Sequence, residues 1–298
     1  GVYLTDDDSW GNVLMRYNME LLWRYKSRAD VVVLGSSRPL YGISPEVLGK
    51  NFFTLNLSQT PNSMYVIRDF LDKYLFTHLE KLKYIVLSLD IDFWWKIDGP
   101  KSDNFFARDF PRYPGYVYDE NHDFWKEGIP AGLLEATENG LGVENEVLYT
   151  AALGQFLGSA CASWGETAEV TFDSTYLDKR AEILENTFDA LEHVLAEAQR
   201  RNVGVVGIIF PQAPDYKNTG AFGHSGLRRS QAKKVIQRIQ NLENDYPNFV
   251  LMDENRMGDH DYADSMAVDN DHLCESGARQ ISMRLDSLLL QLEKRRND

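Results

Sequence analysis

The chain has 298 residues, 43% of them hydrophobic, and a formal net charge of −14. That composition supports one large core or two modest ones. So acidic a surface repels nucleic acid and other polyanions, and no apolar run approaches the roughly 20 residues that span a bilayer.

The first residues, "GVYLTDDDSWGN", have neither the positive region nor the apolar region of a signal peptide. A start at Gly1 without methionine leads us to expect a piece of a longer protein, with its targeting signal and any further domains out of view. Asp6 to Asp8 lack the glycine and terminal glutamate of a calcium loop and read as a solvated acidic tail. No metal and no cofactor is implied.

"ADVVVLG" (29–35) is a short β-branched run that predicts a buried strand, and it leads directly into "SSRPLYG". "FFTLNLS" (52–58) predicts a second strand. A helix is then expected over "TPNSMYVIRDFLDKYLFTHL", with Thr60 as N-cap and Pro61 at the first helical position. "KYIVLSLDI" (83–91), "NVGVVGIIFP" (202–211) and "NFVLMDE" (248–254) predict three more strands. Leu184, Phe188, Leu191, Leu195 and Ala198 recur at helical spacing before the fourth strand. Val235, Ile239 and Leu242 do so before the fifth, and Ile281, Leu285, Leu288 and Leu292 mark a C-terminal helix. Strand–helix alternation with short apolar strands predicts an α/β fold, a parallel five-stranded sheet covered on both faces. Ligands bind such sheets beyond the carboxyl ends of the strands, where "GSSR", "NLSQTPN", "SLDIDFWW" and "FPQAPDY" all fall.

One region breaks the alternation, from about 93 to 175. Eleven of the 33 residues from Phe93 to Trp125 are aromatic, against 12% of the whole chain. This reads as a cap-like insertion after the third strand within a single domain spanning 1–298. Its aromatics serve either as a satellite core or as a carbohydrate platform. Trp94, Trp95, Tyr118, His122 and Trp125 are the candidate sugar contacts.

A serine becomes a nucleophile only with a base in reach and a third group to orient that base. Among the six histidines, His193 reads as a solvated helix face and His78 as a helix end. His122 and His224 stand in loops where they could touch substrate, and His260 lies in an acidic loop. His272 is the informative one, because "DNDHLCESGA" sets Asp269 three residues before it, ahead of the last helix. A short turn can join that carboxylate to the imidazole and fix its tautomer. Cys161 and Cys274 fit no metal spacing and are expected as unpaired, partly buried thiols unless the fold brings them together.

The serine block near the start, the Asp-x-x-His block near the end and the strand–helix order together resemble the SGNH, or GDSL-like, hydrolase superfamily. The resemblance implies a flavodoxin-like three-layer α/β/α sandwich. It places Ser37 as nucleophile, with Ser36 as the alternative, His272 as general base and Asp269 as its orienting acid. It places oxyanion donors at the Ser37 amide and after the second strand, where Thr60 and Asn62 stand. After the third strand Asp90 and Asp92 occupy the region of an expected asparagine, facing substrate. Arg38 either positions substrate or is a structural ion-pair partner. The stretches "PGYVYDENHDFWKEGIP" and "FPQAPDYKNTGAFGHSG" also resemble a paralogous family of envelope-associated proteins from a fibre-degrading rumen bacterium, which implies export. Together these resemblances imply a serine esterase that removes acetyl or other acyl groups from a carbohydrate. The alternatives are an O-acyltransferase using the same triad and a non-catalytic carbohydrate-binding module.

Overall fold

Five apolar runs form the strands β1 (Val31–Leu34), β2 (Thr54–Asn56), β3 (Tyr84–Ser88), β4 (Gly204–Ile209) and β5 (Phe249–Asp253). They pair in parallel in the order β2-β1-β3-β4-β5. The computed structural model describes residues 18–19, 21–59, 63–94, 152–157, 160–165 and 181–297.

The helices needed here are α1 (Ser37–Gly42), α2 (Pro45–Leu48), α3 (Met64–Phe70), α4 (Ala181–Arg200), α5 (Arg229–Asp245) and α6 (Glu275–Asn297). Alternate residues along a strand face opposite sides, and each side carries its own helices. Val32, Leu34, Ile85 and Val205 pack with Ile67 of α3, Leu191 of α4 and Ile239 of α5. Val31, Val33, Val86 and Val206 pack with Leu48 of α2 and with Ile281, Leu285 and Leu289 of α6. The result is the three-layer, flavodoxin-like α/β/α sandwich. In this strand order the winding reverses between β1 and β3, and the crevice beyond their carboxyl ends is where ligands bind.

The expected apolar faces of α4 and α5 are buried. On α6 the face is turned slightly. Leu289 is fully buried, while Leu288 and Leu292 pack from its flank. The helix after β2 also starts later than Thr60. Ser63 caps it, its hydroxyl accepting from the Val66 amide at 3.4 Å, and the helix widens to π geometry over Leu71–Leu75. Thr60 and Pro61 lie outside the described residues. So do most residues of the 93–175 insertion.

The described end of that insertion returns to the sheet. The Asn56 amide donates to the Leu153 carbonyl at 2.9 Å, and the Phe156 amide to the Leu40 carbonyl at 3.0 Å. Gly154 makes the first contact possible. Its φ is +98°, and a Cβ there would stand 1.8 Å from the Asn56 carbonyl oxygen.

The two cysteines are not free thiols: Cys161 and Cys274 form a disulfide across 113 residues of sequence. The return of the chain along 160–165 brings them together, the Ala162 amide donating to the Ala267 carbonyl at 2.8 Å. A loop of that length loses considerable entropy when closed in the unfolded chain, so cleaving the bond should lower stability by about 2–4 kcal/mol. Thermal melts of the wild type with and without reductant, beside a Cys161→Ser variant, check this; coincident melts show that the bond contributes nothing. Among the described residues no helix is long and apolar enough to cross a membrane.

Candidate active site

β1 ends at Leu34, and Gly35 passes directly against β3. A Cβ on Gly35 would stand 2.4 Å from the Ser88 Cβ and 2.7 Å from Pro39 Cγ. Ser36 then caps α1, its hydroxyl accepting from the Arg38 amide at 3.2 Å. Ser37 is the first residue of the helix, where an amide has no acceptor within the helix itself. Asn56, buried at the end of β2, fixes this turn from behind. Its side-chain amide donates to the carbonyls of Pro39 at 2.7 Å and Ile43 at 3.1 Å. Gly35→Ala should therefore push β1 away from β3 and move the serine. Overpacking of this kind costs about 1–3 kcal/mol. Thermal melts of the variant should show that loss of stability, and an unchanged melt overturns this account of the turn.

The partner of Ser37 comes from the far end of the chain. Residues 268–272 form a hairpin tip closed by the antiparallel bridge of Ala267 and Leu273 and by the Val268 amide donating to the His272 carbonyl at 2.9 Å. Within the tip, Asp269 Oδ1 accepts from the Asp271 and His272 amides at 2.8 and 2.9 Å. Both Asp269 carboxylate oxygens lie 3.0 Å from His272 Nδ1. Burial alone would raise the Asp269 pKa, but the His272 hydrogen bond and these amides outweigh it and hold Asp269 below the usual carboxylate range. With Nδ1–H donating to Asp269, Nε2 is left as an acceptor. Ser37 Oγ stands 2.8 Å from that atom. The Tyr41 ring of α1 packs on the imidazole at 4.9 Å. Of the two serines, Ser37 is the one whose hydroxyl meets an imidazole. Ser36 faces instead a small cavity of about 20 Å³, lined in part by Met64, Ser88, Asp90, Phe93 and Trp94, room for about one water.

Beneath the serine lies a buried cluster of charge. Arg38, 3% exposed, donates to Asp92 through both terminal nitrogens at 2.7 and 2.8 Å. It also donates to Asp90 Oδ1 at 3.1 Å and, through Nε, to Asp271 Oδ1 at 2.9 Å. Burial works against its charge, but Asp271, Asp92 and Asp90 together keep the guanidinium protonated. Arg38 and Asp92 thus face each other and not the substrate: of the two readings of Arg38 the structural ion-pair partner holds, and Asp92 is corrected as a substrate contact. Packed charges without solvent must be paired, and these two are fully engaged. Asp90 lines the cavity and accepts from the Ser88 hydroxyl at 2.8 Å. Burial, with the like charge of Asp92, raises it above the ordinary carboxylate range in spite of Arg38 and the hydroxyls of Ser88 and Ser36. Trp94 is also corrected as a sugar platform, since it is 6% exposed and stacks edge-on against Phe188 of α4 at 5.4 Å.

The remaining expected contacts divide. His224 stands beside the cluster, its Nδ1 3.2 Å from Asp271 Oδ1. Burial opposes protonation of this imidazole, but Asp271 outweighs it and raises His224 above the ordinary histidine range. Thr60, Asn62, Trp95, Tyr118, His122 and Trp125 lie outside the described residues. His193, read as solvated, is exposed and pairs with Asp72 at 2.8 Å. His260 is tied to the Gln212 carbonyl at 2.7 Å, away from the serine. Asp271 and Tyr41 are site residues that sequence reading missed. The only signal for Asp271 was the second aspartate of "DNDH", and that for Tyr41 was nothing beyond its place one turn after Ser37.

No protein-family model matches the chain, and no curated protein matches it. One solved structure that it resembles is a protein provisionally named a platelet activating factor, from Streptococcus pneumonia, with a TM-score of 0.49 and 11% identity. The match covers 92% of this chain and 91% of that one. At this level of similarity nothing about the chemistry is carried across.

Proposed function

We propose that the chain is a serine esterase of the SGNH or GDSL-like type. The observation that carries the reading is the continuous hydrogen-bonded line from Ser37 Oγ to His272 Nε2 and from His272 Nδ1 to Asp269. In this reading Ser37 Oγ attacks an ester carbonyl carbon while its proton passes to His272 Nε2. Asp269 stabilises the imidazolium that forms. Collapse of the tetrahedral intermediate breaks the bond to the alcohol, which takes the proton from His272. Water, deprotonated by the same imidazole, then attacks the acyl-enzyme and returns Ser37. The Ser37 amide, with Thr60 and Asn62, would complete an oxyanion hole.

The proposed substrate is a carbohydrate or polysaccharide carrying acetyl or other short acyl groups. The aromatic-rich stretch from Phe93 to Trp125 supports this, as sugar rings stack on flat aromatic faces. A neutral glycan suits the acidic surface better than an anionic one. The disulfide supports an exported, envelope-associated or extracellular location, because such bonds persist in oxidising compartments.

Acetate release from p-nitrophenyl acetate and from acetylated xylan tests the reading, with Ser37→Ala and His272→Ala as controls. Turnover that both substitutions abolish supports an esterase. Acetyl transfer to an added sugar with little free acetate would instead favour an O-acyltransferase. Polysaccharide binding in a wild type inert to every ester would leave a binding module.

A further inference from the structure

A second imidazole, His224, stands in the same crevice. The Asp271 carboxylate reaches toward both. Its Oδ1 is 3.2 Å from His224 Nδ1, and its Oδ2 is 3.9 Å from His272 Nε2, the atom that meets Ser37. The loop carrying His224 has little freedom. The Phe222 amide donates to the Leu227 carbonyl at 2.7 Å, and the His224 amide donates to Gln212 Oε1 at 3.2 Å. Gly223 lies so close to Gln212 that a Cβ would stand 2.4 Å from Oε1. On the other side the Phe93 ring packs edge-on against the imidazole at 5.1 Å. With Nδ1 turned to Asp271 and the side chain 32% exposed, Nε2 is the nitrogen open to a ligand.

Charge gives this histidine a task. The groups packed around it are Asp271 on the hairpin, Arg38 on α1, and Asp90 and Asp92 after β3, with His272 and Asp269 beyond Asp271. Arg38 is one positive charge against three carboxylates, Asp90, Asp92 and Asp271, so two negative charges are left over when all three are ionised. A carbonyl oxygen that gained negative charge beside Ser37 would face that excess. Protonation of His224 halves it and supplies a donor.

We propose that His224, protonated and held by Asp271, is a catalytic residue that donates a hydrogen bond from Nε2 to the substrate carbonyl oxygen as that oxygen becomes the oxyanion. The proposal rests on Ser37 being the nucleophile. No proton is transferred to the oxyanion: the Ser37 proton goes to His272, and His224 keeps its own throughout. His224 must be charged to do so. The rate therefore falls at high pH as His224 loses its proton, which Asp271 holds on to higher pH than an ordinary histidine keeps it.

The test is the pH profile of kcat/KM on p-nitrophenyl acetate for wild type and His224→Gln, with thermal melts to show that the variant is folded. The wild-type rate should fall at the alkaline end of the profile. The variant should lose that alkaline fall and drop by about 10²-fold in kcat with little change in KM. A variant that keeps the alkaline fall, or that keeps its rate, overturns the proposal. Binding of methylboronic acid by calorimetry separates this from failure of the nucleophile. Wild type should form the tetrahedral adduct, and Ser37→Ala should not. His224→Gln should bind at least tenfold more weakly. Equal binding by wild type and Ser37→Ala, or none by either, removes Ser37 as nucleophile and the role of His224 with it. Loss in Ser37→Ala with full affinity in His224→Gln removes the role of His224 alone.

Discussion

Ser37→Ala and His272→Ala should each lower kcat/KM by on the order of 10⁴–10⁶-fold, and the double variant should be no worse than either. The non-additivity is the informative part. In the proposed esterase Ser37 and His272 act through one hydrogen bond of 2.8 Å, so removing either end would remove the same step. Whatever rate persists comes from binding and from oxyanion donors that neither substitution touches. Asp269→Asn should cost less than the loss of the base. Its side chain is half exposed, and water can take part of its place against Nδ1. Single-turnover kinetics with p-nitrophenyl acetate measure all four variants, and circular dichroism confirms that each is folded. An additive double variant would mean that the two residues act in separate steps.

The second large effect is on stability. Arg38→Met should destabilise the fold by about 3–5 kcal/mol, because it leaves buried carboxylates without their partner. Asp92 has no exposed surface, and Asp90 and Asp271 are nearly as enclosed. Arg38→Lys should recover only part of the loss, since an ammonium cannot reproduce the two-pronged contact with Asp92. The pH dependence distinguishes this mechanism from simple loss of packing. In the wild type Asp271 sits below its ordinary range, since Arg38 and His224 together outweigh its burial. A carboxylate lowered on folding adds stability above its unfolded pKa and loses it as pH falls through the folded one. In Arg38→Met the buried carboxylates should be raised instead, so the variant should gain stability as pH falls through the carboxylate range. Urea unfolding from pH 7 to pH 2 reads both slopes, and parallel slopes for the two proteins would rule out the uncompensated charge.

The sheet was legible in the sequence because its signal is local. "VVVL", "YIVLS" and "GVVGII" are apolar on both faces, which only a doubly covered strand requires. Asp269 and His272 were legible for a related reason: three residues of spacing let one turn join them. The remaining features depend on separations that no local pattern encodes. Arg38 finds its carboxylates 52, 54 and 233 residues away, and the cysteines meet across 113. An arginine beside a serine at a strand end reads equally as a substrate clamp or as a buried strut. Only the pairing of β1 beside β3 under the hairpin makes it a strut. Trp94 misled for the same reason, since an aromatic after a strand shows nothing of which side the next helix will cover.

The placement of Ser37 and His272 also has a consequence for the order in which the molecule is made. They are 235 residues apart. The hairpin bearing His272 is docked by α6, which reaches back to the early chain through the Ser282 hydroxyl accepting from the Ser44 amide and through Glu293 bonded to Lys83 and Tyr84. A ribosome delivers the serine 235 residues before the histidine. Until α6 packs over β1 and β3, Ser37 has no imidazole beside it. In the proposed esterase the hydroxyl would therefore be activated only after this long-range closure, the slowest class of contact for a folding chain to make.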